Sequence, residues 1–202
     1  EDFYVSSGNK DAYDLVDSWP KWIKRIVNIH GPSGSGKTHI ASLLKNKTSC
    51  LTISSNDITD KIFFKFKTKE ALIIENVNEK IAENLLFSLW NLAVQDNKYL
   101  LITSVDPINV YKFKLPDLRS RVGSCIRIGI DLPNDELIGV IIAKNFSDQQ
   151  INIEKNQIEY IIKRIDRSYE KISKFISVLD KYSLKKGSPI SLKLIKEVLK
   201  MI

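Results

Sequence analysis

Gly31-Pro32-Ser33-Gly34-Ser35-Gly36-Lys37-Thr38 is the stretch that decides how this chain folds. It satisfies Gly-x-x-x-x-Gly-Lys-Thr. The apolar run Ile26-Val27-Asn28-Ile29 precedes it and the helical run His39-Ile40-Ala41-Ser42-Leu43-Leu44 follows it. A buried strand, a glycine turn and a helix N-terminus in that order make an anion cradle. The glycines let backbone N–H groups face inward, and the helix dipole adds positive potential. Lys37 is expected at the β- and γ-phosphates of a nucleotide, and the Thr38 hydroxyl at Mg²⁺. The expected cofactors are therefore ADP or ATP with Mg²⁺. The expected binding residues here are Gly31, Pro32, Ser33, Gly34, Ser35, Gly36, Lys37, Thr38 and His39.

Outward from the loop, short apolar runs alternate with helical periodicity. Residues 25–30, 49–54, 71–74, 99–103 and 125–130 read as strands. Ala71-Leu72-Ile73-Ile74 is apolar throughout, as a central parallel strand requires. Helices are expected from the loop to about residue 46, after a cap at Asn56 or Asp57, and over 79–95. In the last of these Ile81, Leu85, Leu89, Leu92 and Ala93 share a face. Ahead of them, 1–10 reads as extended, and 11–19 as a short helix limited by Pro20. Beyond Leu132-Pro133 only helical periodicity remains, over 135–146, 154–165 and 167–183, the last capped by Asp166. After a break at Gly187-Ser188-Pro189, a helix capped by Ser191 runs toward Met201. The expected architecture is α/β: a P-loop core with an open parallel sheet flanked by helices over 1–131, then a small all-α lid over 132–202.

Composition narrows the class. The chain has 202 residues, 31 Lys and Arg against 24 Asp and Glu, and two cysteines. No apolar stretch approaches the roughly eighteen residues that span a bilayer, and no secretory signal is visible at Glu1-Asp2-Phe3. Cys50 and Cys125 lie in apolar strand-like runs and have no metal spacing, so reduced buried thiols in the cytoplasm are expected. The positive charge fits either a polyanion partner or lysines spread over solvated faces. No basic stretch reads as a dedicated reader of DNA sequence, so any direct DNA contact is expected to be non-specific. Trp19, Trp22 and Trp90 read as packing anchors.

Six further positions carry chemistry. Glu75 ends the run Leu72-Ile73-Ile74-Glu75, where an acid can help hold Mg²⁺. Asn76 follows, where a second carboxylate would orient the attacking water; an amide cannot take a proton, so slow intrinsic hydrolysis is expected. Thr103 and Ser104 end a strand beside the loop and can sense a γ-phosphate, or simply close a turn. Arg121, in Leu118-Arg119-Ser120-Arg121, suits a phosphoryl group offered in trans or a surface ion pair. Arg167, near a helix start, suits a lid contact to phosphate or a solvated face.

In this order the pieces resemble the AAA+ ATPases of the DnaA family over nearly the whole chain. The resemblance rests on the lead Glu1-Asp2-Phe3-Tyr4-Val5 with Ser7-Gly8-Asn9, the loop 31–38 and the strand ending at Glu75. It rests also on the box Leu115-Pro116-Asp117-Leu118-Arg119-Ser120-Arg121 and the motif Arg164-Ile165-Asp166-Arg167. It is strongest toward the family's regulatory-inactivator branch, the Hda-like proteins in their alphaproteobacterial form. The resemblance implies that Val5 lies against adenine, that Arg121 is a trans-acting arginine finger and that Arg167 is the lid's sensor arginine. It also implies a regulator that docks on the DnaA initiator and promotes hydrolysis of the initiator's ATP. The chain ends after the lid without a helix-turn-helix module, and only a short link joins 54 to 71, both as expected of a regulator. Such proteins also contact the polymerase sliding clamp through an N-terminal peptide, and no Gln-x-x-Leu-x-Phe-type motif occurs in this sequence. Homo-oligomers are a further expectation. A DnaA-like adaptor without trans-activation and a small-molecule P-loop kinase are the alternatives.

Overall fold

The computed structural model describes residues 4–186 and 189–202. The expected lead Glu1-Asp2-Phe3 and the break at Gly187-Ser188 lie outside the described residues. Five strands form one parallel sheet in the order β2-β3-β4-β1-β5. They are β1 (Ile26–His30), β2 (Cys50–Ser54), β3 (Ala71–Val77), β4 (Tyr99–Ser104) and β5 (Ile126–Gly129). The chain leaves β1 in the interior, crosses to the β2 edge, returns through β3 and β4, and passes beyond β1 to β5. The phosphate loop therefore emerges between β4 and β5, in register with His30↔Ser104 and His30↔Gly129.

Alternate residues of the strands enter two different cores, which is why the strands read as continuously apolar. Leu72, Ile74, Leu100 and Ile102 pack with α3 (Lys61–Lys67), α4 (Glu83–Gln95) and α5 (Pro116–Ser124). Val27, Ile29, Ala71, Ile73 and Leu101 pack with α1 (Lys10–Asp17) and α2 (Lys37–Leu43). Trp90 fills the first core. Trp19 and Trp22 meet Tyr99 edge-on, at ring separations of 5.7 and 5.5 Å, beside the second. A third core belongs to α6 (Asp135–Asp148), α7 (Lys155–Ile162), α8 (Tyr169–Lys186) and α9 (Leu192–Leu199). Its centre is Ile142, Phe146, Ile161, Phe175, Leu179 and Ile195. Gln157 stitches this helical part: its amide oxygen accepts from Glu154 N at 2.9 Å, and its amide nitrogen donates to Ile190 O at 3.1 Å. Among the described residues no helix is long and apolar enough to cross a membrane.

Several boundaries differ from expectation for local reasons. Residues 7–9 turn rather than extend, because Asn9 Oδ1 accepts from Ser6 N at 2.8 Å and Asn9 Nδ2 donates to Tyr4 O at 3.0 Å. Neither Asn56 nor Asp57 caps a helix; both lie in a 3-10 turn, and α3 begins at Lys61. Helix α4 starts at Glu83 rather than 79, since the Asn78 side chain accepts from Lys80 N at 2.9 Å and holds a turn. Its buried face is Leu86, Leu89, Trp90 and Ala93, with Leu85 and Leu92 only partly covered. Helix α8 starts at Tyr169, so Asp166 is not its cap and Arg167 lies in the turn before it. Ser191 does cap α9, accepting from Leu194 N at 3.3 Å. Cys125 is buried but Cys50 only half so; burial pushes the Cys50 thiol up to about 11. Phe64 is 76 % exposed on α3 between Lys61 and Lys65.

Asn28 is the polar residue at the centre of the sheet, and it is fully buried. Its amide nitrogen donates to Ile102 O at 3.2 Å and to Ser104 Oγ at 2.8 Å, and its amide oxygen accepts from Ile108 N at 2.9 Å. It thereby ties β1 to β4 and to the segment beyond β4. Replacing Asn28 with Leu strands the Ile108 N–H in an apolar setting. An unsatisfied buried donor costs about 1–3 kcal/mol. The expected outcome is a lower urea midpoint with an unchanged m-value, read by circular dichroism.

Candidate functional site

The loop between β1 and α2 is shaped by three glycines. Gly34 and Gly36 adopt φ of 78° and 86°, where side chains are strained. A Cβ on Gly31 would stand 2.7 Å from Ile130 O, so the loop can lie close against the segment after β5 only with glycine there. A Cβ on Gly34 would stand 3.1 Å from Cβ of Tyr169, which opens α8, so the loop also touches the helical part. Lys37, the first residue of α2, is buried. Its ammonium donates to Gly31 O and Pro32 O, both at 2.7 Å. Burial holds its pKa below the ordinary lysine value. Thr38 is exposed in the same helical turn, and His39 is half-buried one residue further.

A cleft of about 630 Å³ opens beside the loop. Gly34, Ser35, Gly36 and His39 form one wall. Helices α6 and α8 form the other, with Leu137, Val140, Ile141, Ile172 and Ile176 supplying an apolar surface. Tyr4 and Asn9 close one side. Val5, expected beside them, is partly exposed and is not among the lining residues. Three hydrogen bonds set the angle of the helical part. Asp131 N donates to Gly8 O at 2.9 Å, Tyr169 Oη donates to Asp131 O at 3.1 Å, and Tyr4 Oη donates to Glu136 Oε1 at 2.9 Å. Tyr4 and Tyr169 were thus joined to this region by a signal in the sequence only in the first case; Tyr169 has no motif of its own.

The other expected site residues divide. Thr103 and Ser104 are fully buried and already bonded. Thr103 Oγ1 accepts from Asn76 N at 3.1 Å, while Ser104 Oγ accepts from Asn28 and donates to Asp106 O at 2.7 Å. Thr103 thus links β4 to β3, and Ser104 closes the turn at Asp106. Glu75 pairs in register with Ser54 at the end of β3, half-buried. Asn76 takes φ 59° at an irregularity in the β3–β4 ladder. It lines a separate groove with Asn78, Glu79, Val105, Asp106 and Tyr111. Arg167 is held away from the cleft lining by Asp135, with Nη2 and Nε at 3.0 and 3.1 Å from Oδ1. Among the described residues there is no cluster of three His, Cys, Asp or Glu placed to hold a metal. Mg²⁺ commonly takes one or two protein oxygens and completes its shell with phosphate and water, so Thr38 and Glu75 remain a chemically reasonable pair.

Arg121 lies elsewhere. It lines a recess with Ile26, the first residue of β1, whereas the phosphate loop follows His30, the last. Roughly 13 Å of strand separates the two ends. Among the described residues its guanidinium makes no hydrogen bond or ion pair. The helix that presents it is pinned at both ends. At the start, the Glu83 carboxylate accepts from Lys114 N at 3.0 Å and Leu115 N at 2.7 Å, which holds its pKa below the usual carboxylate value. At the end, Arg127 donates to Val122 O and Gly123 O, both at 3.1 Å, and the Lys24 ammonium donates to Ser124 O. Neither Glu83 nor Arg127 carries a sequence signal; each acts through backbone groups brought near by the fold.

Solved structures with this fold include replication initiators and the RuvB Holliday junction branch migration motor of Thermotoga maritima, the latter with a TM-score of 0.70 at 20 % identity. No protein-family profile matches the chain. It is 29 % identical over 227 aligned positions to the chromosomal replication initiator protein DnaA of Campylobacter jejuni, covering 99 % of this chain and 51 % of that protein. It is 25 % identical over 230 positions to the DnaA of Borreliella burgdorferi, covering 100 % and 47 %. The chain thus spans about half the length of the curated relatives it matches. Domain III of the Thermotoga maritima initiator superposes with a TM-score of 0.82 at 20 % identity, covering 98 % of this chain and 93 % of that one. AMPPCP-bound DnaA from Aquifex aeolicus gives 0.73 at 19 %, covering 88 % and 63 %. The chain is therefore homologous to the AAA+ region of DnaA and has its P-loop fold.

Proposed function

We propose that this chain is a nucleotide-binding AAA+ regulator of replication initiation that docks on a DnaA-type initiator and promotes hydrolysis of the initiator's ATP. In this reading it is an Hda-type inactivator working in the cytoplasm. The observation that carries the reading is Arg121: an uncommitted guanidinium on a helix pinned at both ends, at the far end of the sheet from the chain's own phosphate loop. A residue placed there serves a neighbouring molecule better than its own site. A planar, permanently charged fork suits a γ-phosphoryl group, and an arginine supplied in trans is worth about three to five orders of magnitude in hydrolysis.

The chain's own cleft fits ADP or ATP. Backbone N–H groups at the loop's end and the start of α2 would meet the phosphates. Lys37 would exchange the Gly31 and Pro32 carbonyls for phosphate oxygens. The apolar wall of Leu137, Ile141, Ile172 and Ile176, with Tyr4 at the edge, suits a purine. Thr38 and Glu75 would hold Mg²⁺. When bound, the nucleotide supplies the negative charge that the loop is built to neutralise. Asn76 offers no carboxylate beside Glu75, so the chain's own turnover is slow and the nucleotide acts on docking competence. Arg167 would leave Asp135 to reach phosphate. The same docking mode admits self-association.

Lys37→Ala is expected to weaken ADP and ATP binding by roughly 10–100-fold, the value of a charge-assisted contact, measured by calorimetry on folded protein. Arg121→Ala is expected to leave nucleotide affinity and complex formation intact while stimulated hydrolysis by the ATP-loaded initiator falls by about 10³-fold or more. Undiminished stimulation would favour an adaptor acting without trans-activation, and rapid phosphoryl transfer to a metabolite would favour a small-molecule kinase. Arg127→Gln frees the end of α5. A partial loss of stimulation is expected, restored in part by Arg127→Lys, with the affinity for nucleotide unchanged.

A further inference from the structure

We propose that Asp135 is an internal competitor for Arg167: it holds the guanidinium at the first turn of α6, and a nucleotide must displace this carboxylate before the arginine joins the phosphates. The inference rests on the reading of the cleft as a nucleotide site and adds a control on how tightly that site binds. Asp135 is then a positioning residue that touches no nucleotide itself.

Arg167 stands two residues before Tyr169, the first residue of α8. At most roughly 7 Å of backbone therefore separates the two, and Tyr169 lines the cleft. Tyr169 also stands against the phosphate loop, since a Cβ on Gly34 would lie 3.1 Å from its own Cβ. The long arginine side chain thus starts near the loop, yet it is directed to α6. Its Nη2 and Nε lie 3.0 and 3.1 Å from Asp135 Oδ1. Asp166, its neighbour in sequence, forms no ion pair with it among the described residues; the partner comes from 32 positions away.

The pair is suited to exchange. Both bonds end on one carboxylate oxygen, whereas a fork matched to two oxygens is the stronger arrangement. The Arg167 and Asp135 side chains are 63 % and 56 % exposed, so water screens their attraction. Separation strands neither of them. Asp135 stays in the first turn of α6, where the helix dipole favours an acid. Glu136, the other acid of that turn, is engaged elsewhere, accepting from Tyr4 Oη at 2.9 Å. A di- or triphosphate offers more oxygens and more charge than a carboxylate, so it takes Arg167 from Asp135. The strength of the broken pair is subtracted from what Arg167 adds to binding. For an exposed pair that subtraction is a factor of about two to five in affinity.

The test is a double-mutant cycle read by calorimetry with ADP and with ATP, on the wild-type chain, Asp135→Asn, Arg167→Ala and the double variant, each first shown to melt normally. Asp135→Ser is a second replacement should the amide disturb the helix start. Asp135→Asn is expected to tighten nucleotide binding about two- to fivefold, and Asp135→Glu to return it toward the wild-type value. Arg167→Ala is expected to weaken binding, and the double variant to bind as Arg167→Ala does. Equal tightening with and without Arg167 would show that Asp135 only repels the phosphates, and would overturn the proposal. Unchanged or weaker binding by both Asp135→Asn and Asp135→Ser would overturn it as well, with the cleft reading intact. Failure of the folded wild-type chain to bind either nucleotide would overturn both.

Discussion

A buried ammonium organises the top of the sheet. An unpaired charge taken out of water is costly, so Lys37 at the first position of α2 requires oxygen atoms converging on it. The carbonyls of Gly31 and Pro32 supply them at 2.7 Å each. They can do so only because the chain reverses at Gly34 and Gly36 with positive φ and because Gly31 has no Cβ to strike Ile130 O. The same requirement draws the loop against the segment after β5, from which the helical part departs. The geometry of the cleft thus follows from satisfying one charge. Phosphate is the natural replacement for those carbonyls, because its oxygens also accept hydrogen bonds and carry the opposite charge.

The cleft and Arg121 are separated in space. The cleft lies at the carboxyl end of β1, where an open parallel sheet presents its loops. Arg121 lies near the opposite ends. The parallel arrangement produces this separation, because a helix that follows one strand must return to the start of the next. Helix α5 leaves the tip of β4 and delivers its last turn beside Ile26. The carbonyls at that turn would otherwise be unpaired; Arg127 and Lys24 take them up and fix the direction of the turn. These contacts hold the turn that carries Arg121 in one orientation.

Coupling between the cleft and the helical part runs through few contacts. Gly8, Asp131 and Tyr169 form one clasp, Tyr4 and Glu136 a second, and Gly34 touches Tyr169 directly. The Arg167–Asp135 pair is more than half exposed at both side chains, so it is weak. The helices α6, α7, α8 and α9 share one packed core.

The sequence by itself determined the phosphate loop, the parallel sheet and the helical tail, because each depends on local order: glycine spacing before a lysine, apolar runs too short for helices, and a change of period after Leu132. Glu75, Asn76 and Arg121 were visible for the same reason, as residue types at set offsets from those elements. Only the tertiary structure decided what these groups face. Thr103 and Ser104 read either as phosphate sensors or as hydroxyls closing a turn, and in the fold Thr103 Oγ1 accepts from Asn76 N while Ser104 Oγ accepts from Asn28. Arg167 lies in the expected motif, yet Asp135 holds it. Asn28, Glu83, Arg127 and Tyr169 act on backbone atoms or neighbours distant in sequence, and no spacing announces them. A hydrogen bond depends on position and angle in space. Chain order specifies these only within a turn or a strand; between elements, packing does.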